Sequence, residues 1–355
     1  MTPPSRPSVS IVIPTFNRAR YLDLTLASYL GQSDREFELV IVDDGSTDDT
    51  AGVVASYRDR LPVAYVHQAN RGRAHARNTA IEHARGDLLI FSDDDRIAAR
   101  EFVAEHRAEH RAADRPRVVL GWQRAILSIW IPDLVIAART MVELLARRPG
   151  LSEQLRDRDA ALLTPAMVSG ELDAAIADLA FPEPWQQKIA PRIERYGLDL
   201  AGYSFPWSLG VTGNLSAPRA LVDQVGRFDV EFRGWGLEDL DLHYRLHVAG
   251  AATRVSRTAI NYHQFHERGP TLMREWNANA LRLIEKYRSV ELDLYLRTMR
   301  GKLSIDDANR IAIEYAALAA TDSAVAADFA RVMHDHVHAM YLLVTVARPT
   351  GQPPG

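Results

Sequence analysis

Three short apolar runs in the amino-acid sequence each end in a polar cluster. Val9-Ser10-Ile11-Val12-Ile13 leads into Pro14-Thr15-Phe16-Asn17-Arg18. Leu39-Val40-Ile41-Val42 leads into Asp43-Asp44-Gly45-Ser46, and Leu88-Leu89-Ile90-Phe91 into Ser92-Asp93-Asp94-Asp95. Three consecutive carboxylates repel one another unless cations neutralise them. Hard oxygen ligands suit Mg²⁺ or Mn²⁺, above all where a pyrophosphate completes the coordination. Extended-chain alternation predicts Asp93 and Asp95 pointing one way and Asp94 the other. Asp-Gly is also an ordinary turn, and an acid after a strand often caps the next helix. The argument therefore rests on the three clusters together.

A second dense region begins at Thr212-Gly213-Asn214 and continues in Gly234-Trp235-Gly236-Leu237-Glu238-Asp239-Leu240-Asp241. Gly-Trp-Gly allows a close backbone approach and presents an indole, a common surface for a sugar ring. Glu238 and Asp239 open a helix expected to run through Ala249, with Leu242, Leu246 and Ala249 facing inward. Acids at a helix start are also favoured by the helix dipole, by about 0.3–1 kcal/mol. Further on, His263-Gln264-Phe265-His266 offers imidazole, an intermediate ligand that suits Mn²⁺. The spacing of the two histidines is not diagnostic. Arg71, Arg73 and Arg77 surround an expected helix start and are candidates for holding an anion. No G-x-G-x-x-G follows the first apolar run and no G-x-x-x-x-G-K-[ST] occurs, which argues against a dinucleotide or P-loop phosphate cradle.

Positioning these clusters requires a particular set of elements. Helices are expected at Tyr21 to Leu30, around Val54 and Tyr57, and at Arg73 to Ala84. A further strand is expected at Val63 to Val66. Strands alternating with helices of about a dozen residues imply βαβ units and a mostly parallel sheet. In such a sheet ligands lie beyond the carboxyl ends of the strands, so the three clusters would share one edge. We divide the chain into 1–122, an α/β half; 123–207, a mostly helical insertion; 208–266, where the strand-and-turn pattern returns; and 267–355, a helical extension ending in a disordered tail from about Pro349. The 42 Lys and Arg against 46 Asp and Glu leave a charge of −4, which argues against nucleic acid as a partner. The absence of cysteine excludes disulfides and thiol chemistry. Met1 to Arg6 lacks the apolar core of a secretory signal. Ala125 to Ala138 is apolar but broken by Pro132 and Asp133, shorter than the roughly 20 residues a spanning helix needs. A cytoplasmic protein with at most peripheral membrane contact is expected.

Taken together these motifs resemble family 2 glycosyltransferases of the GT-A fold. The resemblance is carried by VSIVIPTFNR (9–18), LVIVDDGSTDD (39–49), NRGRAHARN (70–78), GDLLIFSDDD (86–95) and GWGLEDLD (234–241). The last is also similar to the carboxyl-terminal module of galactosyl- and N-acetylgalactosaminyl-transferases. The resemblance implies that Pro14, Thr15, Asn17, Asp43, Asp44, Arg71, Arg77, Asp93 and Asp94 hold a UDP-sugar. It implies Asp95, Asp93 and His263 as ligands of Mn²⁺ or Mg²⁺, with the extra aspartate leaving the ribose and metal roles interchangeable by one position. Asp239 would be the catalytic base, and Glu238, Trp235 and Asn214 would bind the acceptor. The implied reaction is inverting transfer of a hexose of the Gal, GalNAc, Glc or GlcNAc type to a glycan, secondary-metabolite or peptide acceptor. A non-catalytic nucleotide-sugar-binding module and a sugar-nucleotide pyrophosphorylase are the alternatives; the latter would want a glycine-rich phosphate loop that 14–18 lacks.

Overall fold

The computed structural model describes residues 8–131, 134–157, 159–266 and 272–346. The expectations for Met1 to Arg6, for Pro132 and Asp133, and for the tail from Pro349 lie outside the described residues. The first part alternates as the periodicity predicts: β1 (Val9–Thr15), α1 (Ala19–Tyr29), β2 (Phe37–Asp43), α2 (Thr50–Tyr57), β3 (Val63–His67), α3 (Arg73–His83) and β4 (Leu88–Phe91). Then come β5 (Arg96–Ala98), α4 (Phe102–Arg111) and β6 (Arg117–Ile126). The middle segment holds β7 (Ile129–Trp130), α5 (Ala138–Arg147), α6 (Leu151–Gln154), β8 (Ala160–Ala161), α7 (Pro165–Gly170), α8 (Leu172–Leu179), β9 (Ala180–Pro182) and α9 (Pro184–Tyr196). The chain returns through β10 (Leu215–Pro218), α10 (Arg219–Gln224), α11 (Glu238–Val248) and β11 (Ala252–Gln264). Four helices close it: α12 (Leu272–Lys286), α13 (Val290–Met299), α14 (Ile305–Thr321) and α15 (Ser323–Val346).

The main sheet has the order β3-β2-β1-β4-β10-β6-β11-β5, with β9 paired to β6. β1, β2, β3 and β4 are mutually parallel. β10 is antiparallel to both neighbours, so β6 points the same way as β4, and β11 runs parallel to β6. The sheet is therefore mostly parallel. Register places Thr15 opposite Asp43 at the ends of β1 and β2, so the first two polar clusters share an edge with the one that follows β4.

β1 and β2 read as continuous apolar runs because both their faces are covered. Val12, Val40 and Val42 face one core and Ile11, Ile13, Leu39 and Ile41 the other. The closing helices belong to the first core through Trp276, Leu283, Leu292, Leu296 and Tyr341. Of the middle helices, α5, α6 and α8 belong to the second through Leu144, Leu151 and Leu179, while α9 joins the first through Ile189 and Ile193. Neither addition carries its own separate core. The division after residue 122 falls inside β6, which continues to Ile126. Leu242 and Leu246 of α11 are buried as expected, but Ala249 is exposed, because the helix ends at Val248 and the chain turns at Gly250 with φ +89°. No helix among the described residues is long and apolar enough to cross a membrane.

Candidate active site

At the ends of β1 and β2 the polar residues are tied down by local geometry. Asp43 accepts from the Ser46 N–H at 2.8 Å and from the Tyr65 hydroxyl at 2.6 Å. Burial pushes its carboxyl up, but these hydrogen bonds outweigh burial and hold it below the usual range. Asp44 accepts from Gln68 Nε2 at 2.7 Å and from the backbone N–H groups of Arg71 and Gly72 at 2.9 and 2.7 Å. Arg71 thus contributes its backbone here, and its side chain is exposed. Gly72, with φ +90°, makes that approach possible. Asn17 is exposed at φ +53°, and its amide oxygen accepts from Thr47 N–H at 2.7 Å, so it braces the loop after β2. Pro14 is half-buried and Thr15 is buried, its hydroxyl beside the Asp94 carboxyl, which it helps to hold down.

The aspartate triplet does not alternate. Asp94 and Asp95 lie in a turn, so each carboxylate finds different company. Asp93 accepts from Arg77 Nη2 at 2.9 Å. Asp94 is buried, and burial, followed by the charge of Asp95, pushes its carboxyl up to about 8. Asp95 faces two histidines: His263 Nε2 at 3.5 Å and His266 Nε2 at 2.9 Å from Asp95 Oδ2. Burial opposes its charge, but His263 prevails and holds the carboxyl well below the usual range.

Asp95, His263 and His266 present three ligand atoms within 4.8 Å of one another. Asp95 Oδ1 is buried without a hydrogen bond, with Arg96 Nε 3.6 Å away. One carboxylate and two imidazoles, with an oxygen free of hydrogen bonds, fit a divalent metal ion. Of the expected ligands, Asp95 and His263 come together with His266, while Asp93 turns one carboxylate oxygen to Arg77. A further residue, which the sequence did not single out, supports the group. Glu183, first residue of the α9 capping box, places Oε1 2.9 Å from His263 Nδ1 and Oε2 3.4 Å from Arg96 Nη1. A carboxylate on the far nitrogen fixes the imidazole so that Nε2 faces Asp95. Burial and Arg96 pull the His263 imidazole down, yet Asp95 and Glu183 leave it above its ordinary value.

Arg77 was expected to meet the donor. It is instead 3% exposed and spans two carboxylates, donating through Nη2 to Asp93 and through Nη1 to Glu238, each at 2.9 Å. Phe228 covers it, with the guanidinium 5.4 Å from the ring centroid. Glu238, expected to face the acceptor, is 3% exposed and held under Arg77. Asp239 beside it is half-buried and accepts from Leu240 N–H at 2.8 Å. Burial, then the neighbouring Glu238, pushes its carboxyl up to about 7. Trp235 is half-buried and packs against the core that contains the closing helices.

Asn214, expected to bind the acceptor, is placed inside the protein. It is 0% exposed, its oxygen accepts from His106 at 2.8 Å, and its nitrogen donates to the Trp122 and Ala259 carbonyls at 3.3 and 3.0 Å. Every polar atom of that amide is used inside the protein, so it has nothing to offer an acceptor.

Residues 10–130 match the family model described as glycosyl transferase family 2. Residues 194–267 match a model described as the N-terminal domain of galactosyltransferase. The chain is 32% identical over 309 residues to the uncharacterized glycosyltransferase YfnE of Bacillus subtilis, covering 85% of this chain and 76% of that one. It is 32% identical over 319 residues to validoxylamine A glucosyltransferase of Streptomyces hygroscopicus subsp. jinggangensis, covering 87% and 68%. Among solved structures, a mannosyltransferase from Pyrobaculum calidifontis in complex with GDP-Man and Mn²⁺ aligns at TM-score 0.49 and 18% identity, over 97% of this chain and 87% of that one. TarS of S. aureus in complex with UDP-GlcNAc aligns at TM-score 0.47 and 18% identity, over 79% and 66%. Both alignments are too loose to carry a functional argument, and family membership rests on the sequence relatives. They settle the alternatives in favour of a transferase over a pyrophosphorylase or a non-catalytic module. With its mostly parallel α/β sheet and its polar clusters gathered on one edge, the chain belongs to the family 2 glycosyltransferases.

Proposed function

We propose that the chain moves a hexose from a UDP-sugar to an acceptor hydroxyl by inverting single displacement, with Asp239 as the general base. The observation that carries this reading is the Asp239 carboxyl, half-buried at the start of α11 and raised to about 7. A general base is most effective with a pKa near the working pH. Its neighbour Glu238 is tied through Arg77 to Asp93, so the base stands at a fixed place relative to the edge that would hold the donor.

In this reading Thr15, Asp43 and Asp44 hold the uracil and ribose, framed by Pro14 and Asn17. Asp239 takes the proton from the acceptor hydroxyl as its oxygen bonds to the anomeric carbon. The bond from that carbon to the diphosphate oxygen breaks on the opposite face, and UDP leaves. One carboxylate opposite the leaving group gives inversion, through a transition state with oxocarbenium character. Asp95, His263 and His266 are the residues that would hold Mn²⁺ or Mg²⁺. A divalent ion bound there would act as a Lewis acid on the departing diphosphate. Trp235 offers its indole to the sugar. A relative named for glucosyl transfer makes glucose the first hexose to test, and a glycan, a secondary metabolite or a peptide remains the class of acceptor.

The test is a donor panel. UDP-Glc, UDP-Gal, UDP-GlcNAc, UDP-GalNAc and GDP-Man are incubated with the full chain in Mn²⁺, Mg²⁺ or EDTA, and hydrolysis is followed. Consumption of one UDP-sugar that stops in EDTA is expected. Full activity in EDTA would remove the metal from the reading, and preference for GDP-Man would reject the donor.

A further inference from the structure

Three of the four residues just before Glu238 have left-handed backbones: Gly234 at φ +70°, Gly236 at +96° and Leu237 at +73°. A leucine in that region is strained and persists only where its surroundings impose the conformation. The surroundings here belong to α12, in the closing part of the chain that matches neither family model.

The contacts are specific. Glu275 Oε2 accepts from Trp235 N–H at 2.9 Å. Asn279 Nδ2 donates to the Arg233 carbonyl at 3.0 Å and to the Gly236 carbonyl at 2.8 Å. A Cβ on Gly234 would stand 2.6 Å from Glu275 Oε2, and one on Gly236 2.9 Å from Trp276 Cδ1. A side chain at either position would press on α12, and the positive φ at both favours glycine in any case. Asn279 is 5% exposed, so its amide has no competing solvent partners, and Trp276, Leu283 and Ile284 anchor α12 in the core. The Asp239 carboxylate itself accepts from Leu240, the next residue along, so its place follows the backbone that delivers it.

We propose that α12 is the positioning element for Asp239, with Glu275 and Asn279 as the positioning residues that hold the Gly234–Leu237 turn. This rests on the reading of Asp239 as the base. The hydrogen bonds of both residues go to the backbone of that turn. Their contribution is to geometry, and a misplacement of about 1 Å can cost roughly 10²-fold in rate. The closing helices are then part of the catalytic apparatus and not an appended module.

The experiment compares Asn279→Leu, Glu275→Met, Glu275→Gln and Asp239→Asn in the full chain. Asn279→Leu removes the donor, Glu275→Met removes the acceptor, and Glu275→Gln keeps an acceptor oxygen. We expect Asn279→Leu and Glu275→Met to lower kcat by about tenfold or more while UDP affinity stays within about twofold. Glu275→Gln should recover most of the rate. The acid limb of the pH–rate profile should move in the two damaging variants, which a loss of stability alone would not cause. Glu275 is half-buried, so Glu275→Met supplies the measurement if Asn279→Leu does not fold. A folded Glu275→Met variant with kcat within twofold of wild type and an unmoved acid limb overturns the positioning role. If Asp239→Asn alone turns over normally, the base assignment falls and the proposal falls with it.

Discussion

Arg77 Nη1 lies 2.9 Å from Glu238 Oε1, joining residues 161 positions apart. The same guanidinium holds Asp93 at 2.9 Å, so one buried fork connects the segment after β4 to the first residue of the helix that carries the proposed base. A fork is needed because a single planar cation must serve two separate carboxylates.

Arg77→Met should therefore leave Glu238 buried without its hydrogen-bonded cation, with only Arg73 Nε 4.0 Å away. Breaking a buried pair in this way costs about 3–5 kcal/mol. Arg77→Lys should recover only part of this, because one ammonium does not reproduce the fork. Urea unfolding measures both, and an unshifted midpoint for Arg77→Met would contradict the bracing role.

Glu183→Gln should weaken divalent-metal binding by about 10–100-fold, the usual cost of losing the carboxylate behind a ligating histidine. Mn²⁺ titration followed by electron paramagnetic resonance reads this without any substrate. Binding should also strengthen as pH rises, because the His263 imidazole, held above its ordinary value, must lose a proton to ligate. Unchanged Mn²⁺ affinity in the variant would separate Glu183 from the metal group.

Asn214→Ala should act on stability and not on the acceptor. Its loss leaves the imidazole of His106 and the carbonyls of Trp122 and Ala259 short of a partner, at about 1–3 kcal/mol. Melting temperature should drop while the acceptor KM holds. A raised KM with unchanged melting temperature would restore Asn214 to the acceptor site.

The Asp239 carboxyl, raised to about 7 from an ordinary 3.8, makes two pH effects. Activity should fall on the acid side with an apparent pKa near 7, since the protonated acid accepts no proton. Stability runs the other way. Between 3.8 and about 7 the folded chain binds more protons here than the unfolded chain, so this contribution declines as pH rises through that window. Asp239→Asn should flatten the decline in unfolding free energy over that range, and an identical pH dependence in variant and wild type would contradict the raised pKa.

How much of this was legible in the sequence differs by element. The strands at Val9, Leu39 and Leu88 were readable because buried parallel strands are continuous apolar runs ending abruptly in polar residues. Their shared edge followed from parallel direction alone. The separate fates of Asp93 and Asp95 were not readable, because the segment turns instead of extending, and only the turn sends one to Arg77 and the other to the histidines. Asn214 carried only the acceptor role that the resemblance implied, while the buried histidine that claims it lies 108 positions away. Glu183 carried a signal only as a helix cap, and its contact with His263 spans 80 positions. Glu275 and Asn279 had no local signal at all, since what they hold is backbone some 40 residues upstream.

The central claim is that Asp239 is the base, and kcat of the purified Asp239→Asn variant, read beside its UDP affinity and melting temperature, tests it most directly. A general base contributes about 10²–10⁴-fold, so kcat should fall by that factor. UDP should bind normally, because the proposed base would act on the acceptor and not on the nucleotide, and the helix start should survive because asparagine also caps well. A stable variant that binds UDP and turns over at near the wild-type rate would contradict the account.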